Sequence, residues 1–261
     1  MTDAGAGTIA IAAGNISKRY RETVALDQMT LAVNAGETVA IVGPSGSGKT
    51  TLLHLLAGNL ATDTGSIALN GRALAALQPG REKARLVGIM HQGNDLVANL
   101  PVVHNVLAGR LGEWGLLRAL VSLVIPRERE IALRALDRVG IGDKLSERTS
   151  RLSGGEQQRV ALARLLIQNP AIIIADEPVS SLDPIRAEDV IRILVEIASD
   201  ESRTLVASLH SVPLALQYFS RIIALRNGRV LFDRPAADVH PIHLDRLYAY
   251  DDEDPRIAVV E

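Results

Sequence analysis

The segment Gly43-Pro44-Ser45-Gly46-Ser47-Gly48-Lys49-Thr50 constrains this chain most, because it satisfies G-x-x-x-x-G-K-[ST] at every fixed position. Ahead of it, Thr38 to Val42 is a short apolar, β-branched run; behind it, Thr51 to Ala57 is apolar with helical character. Strand, loop and helix in that order form the context in which such a loop cradles the phosphates of a nucleoside triphosphate. Glycine at 43, 46 and 48 permits backbone angles that turn N–H groups onto a phosphate, and the helix N-terminus completes the anion site. Lys49 then reaches the β- and γ-phosphates, and the Thr50 hydroxyl is placed for Mg²⁺. A Gly/Ser loop that merely turns the chain is the competing reading, and the complete match with both flanks argues against it.

Two further stretches suit the same chemistry. Ala171 to Ala175 is an apolar run ending in Asp176 and Glu177, the pattern of a buried parallel strand presenting acids at its carboxyl end. Asp176 would hold Mg²⁺ through its water shell, and Glu177 would polarise the attacking water. Alone, such a pair reads as a solvated strand end; the phosphate loop upstream reverses that. Leu152-Ser153-Gly154-Gly155-Glu156-Gln157-Gln158-Arg159 leads into an amphipathic helix through Ile167. It is readable as a second anion-facing helix start, or as a Ser N-cap with Glu at N3.

At 261 residues the chain can bury one large core, and hydrophobic residues make up 47 % of it. A net charge of −2 gives no general basic field, so no nucleic-acid partner is expected. The absence of cysteine excludes disulfides, thiolate metal sites and a cysteine nucleophile. Met1 to Gly14 carries Asp3 and no early basic residue, unlike a signal peptide; Trp114 to Ile125 is interrupted by Arg118 and too short to span a bilayer. The expectation is a chain soluble by itself that meets a membrane through a partner.

Taken in order, Tyr20, GPSGSGKT, Gln92, LSGGEQQ at 152–158, IIIADEP at 172–178, SSLD at 180–183 and His210 resemble the nucleotide-binding subunit of an ATP-binding cassette (ABC) transporter, over about residues 9–233. The resemblance implies an α/β fold: a P-loop NTPase core of the RecA-like kind with an N-terminal antiparallel β subdomain and an inserted α-helical subdomain. It implies one nucleotide-binding domain over 1–261, an insertion at about 93–168 and a C-terminal extension at 234–261. It also implies an ATP hydrolase with ATP and Mg²⁺ as cofactors. Tyr20 would stack on adenine, and residues 43–50 with Thr51 would hold the phosphates. Glu177, His210 and Gln92 would serve catalysis, and Thr50, Gln92 and Asp176 the metal. Ser153 and Gly155 would face the γ-phosphate held by a second cassette, with Gly154 and Glu156 also among the nucleotide-binding residues and Asp183 coupling the subunits. One chain carries half of each composite site, so a second ABC subunit, a homodimer in the simplest case, is implied. An integral-membrane permease, a solute-binding protein if the system imports, and a position on the cytoplasmic face of the membrane complete the implied assembly.

Among branches of the family, Asn105 to Gly112 with Trp114 and Leu116 to Ile125, and the stretch His210 to Asp233, resemble the phosphonate-importer ATPases. The apolar stretch 116–125 reads equally as helical core or as a docking surface for a permease. His91 stands where Phe is usual before the glutamine, and Ser211-Val212-Pro213 replaces a Gln-Val-Asp pattern. These departures leave the ATP chemistry intact, and the first bears on permease fit. An exporter or lipoprotein-releasing subunit is the alternative. A non-transport ABC protein is disfavoured by the single cassette and the lack of a heptad arm.

Strands are expected near 9–16, 24–33, 38–42, 66–70 and 86–90, a mostly helical stretch at about 102–168, then alternating strands and helices to about 233. The run Asp251 to Asp254 reads as a solvated tail.

Overall fold

The computed structural model describes residues 8–91, 95–114 and 128–249. Four strands, β1 (Ile9–Tyr20), β2 (Thr23–Asn34), β4 (Thr64–Leu69) and β5 (Arg72–Ala73), form an antiparallel sheet in the order β2-β1-β4-β5. Six others, β3 (Thr38–Val42), β6 (Val87–Met90), β7 (Ile172–Asp176), β8 (Thr204–Ser208), β9 (Arg221–Arg226) and β10 (Arg229–Pro235), form a second sheet in the order β10-β9-β3-β8-β7-β6. Within it β3, β6, β7, β8 and β9 run parallel, and β10 pairs antiparallel with β9.

Side chains alternate across a strand, and here the alternation feeds two cores. Ala40, Val42, Ile173, Ala175, Leu205 and Ala207 join a core built with helices α3 (Val102–Leu107), α4 (Arg129–Arg138), α5 (Gly154–Gln168) and α6 (Pro184–Asp200). Their neighbours Val39, Ile41, Ile172, Ile174 and Val206 face a second core, shared with α1 (Lys49–Leu56) and the antiparallel sheet. All five residues of β7 are buried, so its unbroken apolar run reflects a strand covered on both faces. The remaining helices are α2 (Arg81–Leu86), α7 (Val212–Tyr218) and α8 (Pro241–Tyr248).

The first strand runs four residues past its expected end, to Tyr20. An irregularity near Asn15, whose φ is 51° and whose N–H donates to Thr30 Oγ1, breaks the apolar alternation without ending the pairing. Polar Ser17, Lys18 and Arg19 therefore continue the strand. The described part of 102–168 holds α3, α4, α5 and short 3-10 turns joined by irregular segments, one of which pairs Arg148 with Pro101, and Gly109 lets α5 approach closely: a Cβ there would lie 2.3 Å from Arg164 O. Trp114 packs partly buried against the helical core, whereas Leu116 to Ile125 lies outside the described residues. Beyond β10, α8 docks through fully buried Leu247, and the Arg226 guanidinium donates to Arg246 O and, at 2.7 Å, to Ala249 O. Asp251 to Asp254 lie outside the described residues.

Candidate nucleotide site

The phosphate loop spans the gap between the carboxyl end of β3 and the first turn of α1. Two of its glycines are required by space as well as by angle. At Gly43, φ 154°, a Cβ would lie 2.2 Å from Leu225 O; at Gly48, φ 99°, it would lie 2.5 Å from Ala25 O. Gly48 is the N-cap of α1, so the helix start faces the loop. Pro44, Ser45 and Gly46 form the outer rim, and a Cβ at Gly46 would meet nothing within 4 Å. The Ser47 hydroxyl is buried and has no hydrogen-bond partner among the described residues. A buried orphan hydroxyl inside a glycine cradle with an open rim fits a phosphate oxygen.

Lys49 is buried, and its Nζ donates to Gly43 O at 2.9 Å and Pro44 O at 3.1 Å. Burial pulls its pKa below the usual lysine value, opposed by the negative charges of Glu177 and Asp176. Thr50 Oγ1 donates to Asp176 Oδ1 at 3.2 Å, and Thr51 follows on the same helix. A hydroxyl beside a buried carboxylate is a hard oxygen donor set with room for water and phosphate ligands, which suits Mg²⁺. Among the described residues no cluster of three or more His, Asp or Glu forms an all-protein metal site.

Asp176 ends β7, only 3 % exposed. Glu177 follows in a left-handed turn, φ 46°, an uncommon conformation for a side chain with a Cβ, which turns the chain sharply out of the sheet. His210, two residues past β8, meets it: His210 Nε2 lies 2.6 Å from Glu177 Oε1. Parallel pairing of β7 with β8, and of β8 with β3, gathers Thr50, Asp176, Glu177 and His210 at one sheet edge.

The remaining anticipated residues divide. Tyr20 closes β1, 47 % exposed, with Lys18 Nζ 5.9 Å from its ring centroid. It pairs with Thr23, and the following strand brings Ala25 and Leu26 against Gly48. Ser153 caps α5: its hydroxyl accepts from Glu156 N, while the Glu156 carboxylate accepts from Ser153 N and Oγ, each at 2.8 Å. These bonds hold the Glu156 carboxyl below its usual pKa, the Ser153 N–H contributing most. The capping box is thus formed as the Ser N-cap with Glu at N3. Cβ atoms at Gly154 and Gly155 would meet Leu182 and Arg186 at 3.5 Å, so this turn neighbours the segment of Asp183. Asp183 caps α6, accepting from Arg186 N. Among the described residues, the turn at 153–156 bonds within itself and neighbours Lys144, Leu182 and Arg186, none of them in the phosphate loop. Gln92 lies outside the described residues.

Sequence reasoning missed Ser208 and His54. The Ser208 hydroxyl donates to Asp176 Oδ1 at 2.8 Å and accepts from Glu177 N at 2.8 Å, fixing both acids at once. A polar residue closing the otherwise apolar run 204–208 was its only signal. His54, one turn into α1, places Nε2 3.8 Å from Asp176 Oδ2.

A family model described as ABC transporter matches residues 26–180. A phosphonates import ATP-binding protein of Pseudomonas aeruginosa is 48 % identical over 228 residues, covering 86 % of this chain and 85 % of the relative. One from Pseudomonas syringae pv. tomato is 45 % identical over 237 residues, covering 90 % and 89 %. The ATP-binding cassette MJ0796, in a dimeric post-hydrolysis state with ADP and Pi, superposes with a TM-score of 0.75 at 28 % identity, over 87 % of this chain and 98 % of that one. The cassette cbiO1 of Clostridium perfringens, part of an ABC transporter complex, gives 0.76 at 25 % identity, over 92 % and 94 %. With a phosphate loop, strand-end acids gathered beside it and these relatives over most of its length, the chain belongs to the ABC transporter family, as one of its ATP-hydrolysing cassettes.

Proposed function

We propose that this protein energises an ABC importer for phosphonate or a related phosphorus oxyanion. The observation that carries the ATPase part is the convergence of Lys49, Thr50, Asp176, Glu177 and His210 at the carboxyl ends of neighbouring parallel strands. The substrate class rests on the relatives, which are phosphonates import ATP-binding proteins at 45–48 % identity.

In this reading Tyr20 stacks on adenine, and the loop from Gly43 to Thr50 with Thr51 holds the phosphates. Lys49 supplies positive charge to the β- and γ-phosphates. Thr50 and Asp176, with Gln92, would hold Mg²⁺, which when bound neutralises phosphate charge. Glu177 orients the attacking water and accepts its proton, and His210, held by Glu177, contacts the γ-phosphate. Ser153 and Gly155 act on the nucleotide of a second copy; within one chain Ser153 bonds Glu156, and Gly155 lies beside Arg186. Asp183 lies where the two copies would meet. The unit is one nucleotide-binding domain over 1–261, with residues 93–168 as the helical insertion and 234–261 as an extension.

The permease would dock in a groove of about 590 Å³ between α2, α3 and α5, whose lining includes Lys83, His91, Asp95, Val97, Asn105 and Arg164. In this reading the permease holds the protein on the cytoplasmic face of the membrane; among the described residues no helix is long and apolar enough to cross a membrane. The direct test is ATP turnover by the chain assembled with its permease in vesicles. Stimulation by a solute-binding protein loaded with phosphonate supports the substrate assignment. A deletion strain that grows normally on phosphonates but loses uptake of an unrelated solute overturns it and leaves the ATPase assignment standing.

A further inference from the structure

Outside both sheets, residues 97–103 run beside 145–150 as an irregular antiparallel pair. Thr149 N donates to Leu100 O at 3.1 Å, Ser150 N to Ala98 O at 2.8 Å, Val102 N to Glu147 O at 2.9 Å and Val103 N to Leu145 O at 3.1 Å, while Pro101 bridges Arg148. Two buried polar side chains pin the pair. Asn105, 3 % exposed, accepts from Val97 N at 2.7 Å and donates to Val97 O at 3.0 Å and Thr149 Oγ1 at 2.9 Å. Thr149, 1 % exposed, passes its own hydroxyl proton to Leu100 O at 3.1 Å.

The two ends of this pin face different parts of the molecule. Asp95, Val97 and Asn105 line the groove between α2, α3 and α5. Thr149 opens the turn that ends at Ser153, and that turn is braced from within α5 by Gln157, whose Nε2 donates to Leu152 O at 3.1 Å. The backbone bonds set the register of 97–103 against 145–150, and the buried, hydrogen-bonded side chains of Asn105 and Thr149 reinforce it.

We infer that Asn105 and Thr149 are positioning residues: their hydrogen bonds tie the segment that opens the Ser153 turn to 97–100, and so fix where Ser153 stands against the second cassette's nucleotide. The inference rests on the shared-site reading above. The side chains of both bond only Val97, Leu100 and each other among the described residues, not the phosphate loop. Loosening the pin therefore leaves nucleotide capture intact and impairs the step that needs two cassettes.

The test compares Thr149→Val, which keeps the shape and removes the hydroxyl, with Thr149→Ser, which restores it, in the full chain. The readouts are ATP turnover, affinity of a fluorescent ATP analogue, and ATP-dependent dimerisation in a Glu177→Gln background. Thr149→Val is expected to lower turnover about tenfold and weaken the dimer while analogue affinity changes less than about twofold, with Thr149→Ser recovering most of the loss. Asn105→Ala should give the same split, and it decides the matter if Thr149→Val does not fold. Parental turnover in these variants, or a parallel loss of affinity and turnover that serine does not rescue, overturns the inference. A parent protein that neither hydrolyses ATP nor dimerises overturns the shared-site reading instead.

Discussion

At the residue scale, Glu177 stands where three constraints meet. The end of β7 delivers it, a left-handed turn swings it out of the strand, and Ser208 holds its N–H while His210 holds its carboxylate. Glu177→Gln keeps the shape and removes the proton acceptor, so turnover measured by phosphate release should fall by about 10²–10⁴-fold with ATP binding retained. Ser208→Ala leaves both acids in place but takes the donor from Asp176 and the acceptor from Glu177 N. Its turnover should fall by roughly 10–100-fold, with a higher Mg²⁺ requirement as the accompanying sign. Lys49, Thr50, Asp176 and Glu177 were legible in the sequence because each belongs to a pattern whose spacing is local. Ser208 was not, because its bonds cross from β8 to β7 and only the sheet order brings residues 32 apart together. His210 was legible only through family resemblance, since a lone histidine after a strand carries no chemistry in itself.

At the element scale, α5 shows how one local device serves two purposes. Its capping box satisfies the first N–H groups of a 15-residue helix and fixes the turn that displays Ser153 and Gly155. Removing the carboxylate in Glu156→Ala should cost about 1 kcal/mol in chemical denaturation at neutral pH. Because the folded protein holds this carboxyl below its ordinary value of 4.5, its stabilisation is full above that pH and fades as pH falls through the lower folded value. The difference between parent and Glu156→Ala should therefore shrink in acid, which paired denaturation curves would reveal. For β7, Ile173→Ala would open a cavity in the helical core and should cost about 2–5 kcal/mol, read from the same curves. Strand positions were legible wherever apolar residues ran unbroken or alternated. The ends of β1 and β4 were not, because polar residues there stay paired around the irregularity near Asn15.

At the scale of the whole molecule, two cores divided by one sheet give the cassette its polarity. The phosphate loop and strand-end acids sit at the carboxyl edge of β3, β7 and β8, while the Ser153 turn caps α5 within the helical half. The order of motifs along the chain made this division legible. The strand order β10-β9-β3-β8-β7-β6 was beyond the sequence, since it depends on which strands neighbour in space. If each nucleotide is shared between two copies, defects in different halves must complement. The most direct measurement is ATP turnover of a Lys49→Ala subunit, a Ser153→Arg subunit, and an equimolar mixture. A shared site predicts that each variant alone is nearly inactive and that the mixture regains activity, because mixed dimers contain one site free of both changes. A mixture no more active than its components, in which mixed dimers are nonetheless present, would contradict it.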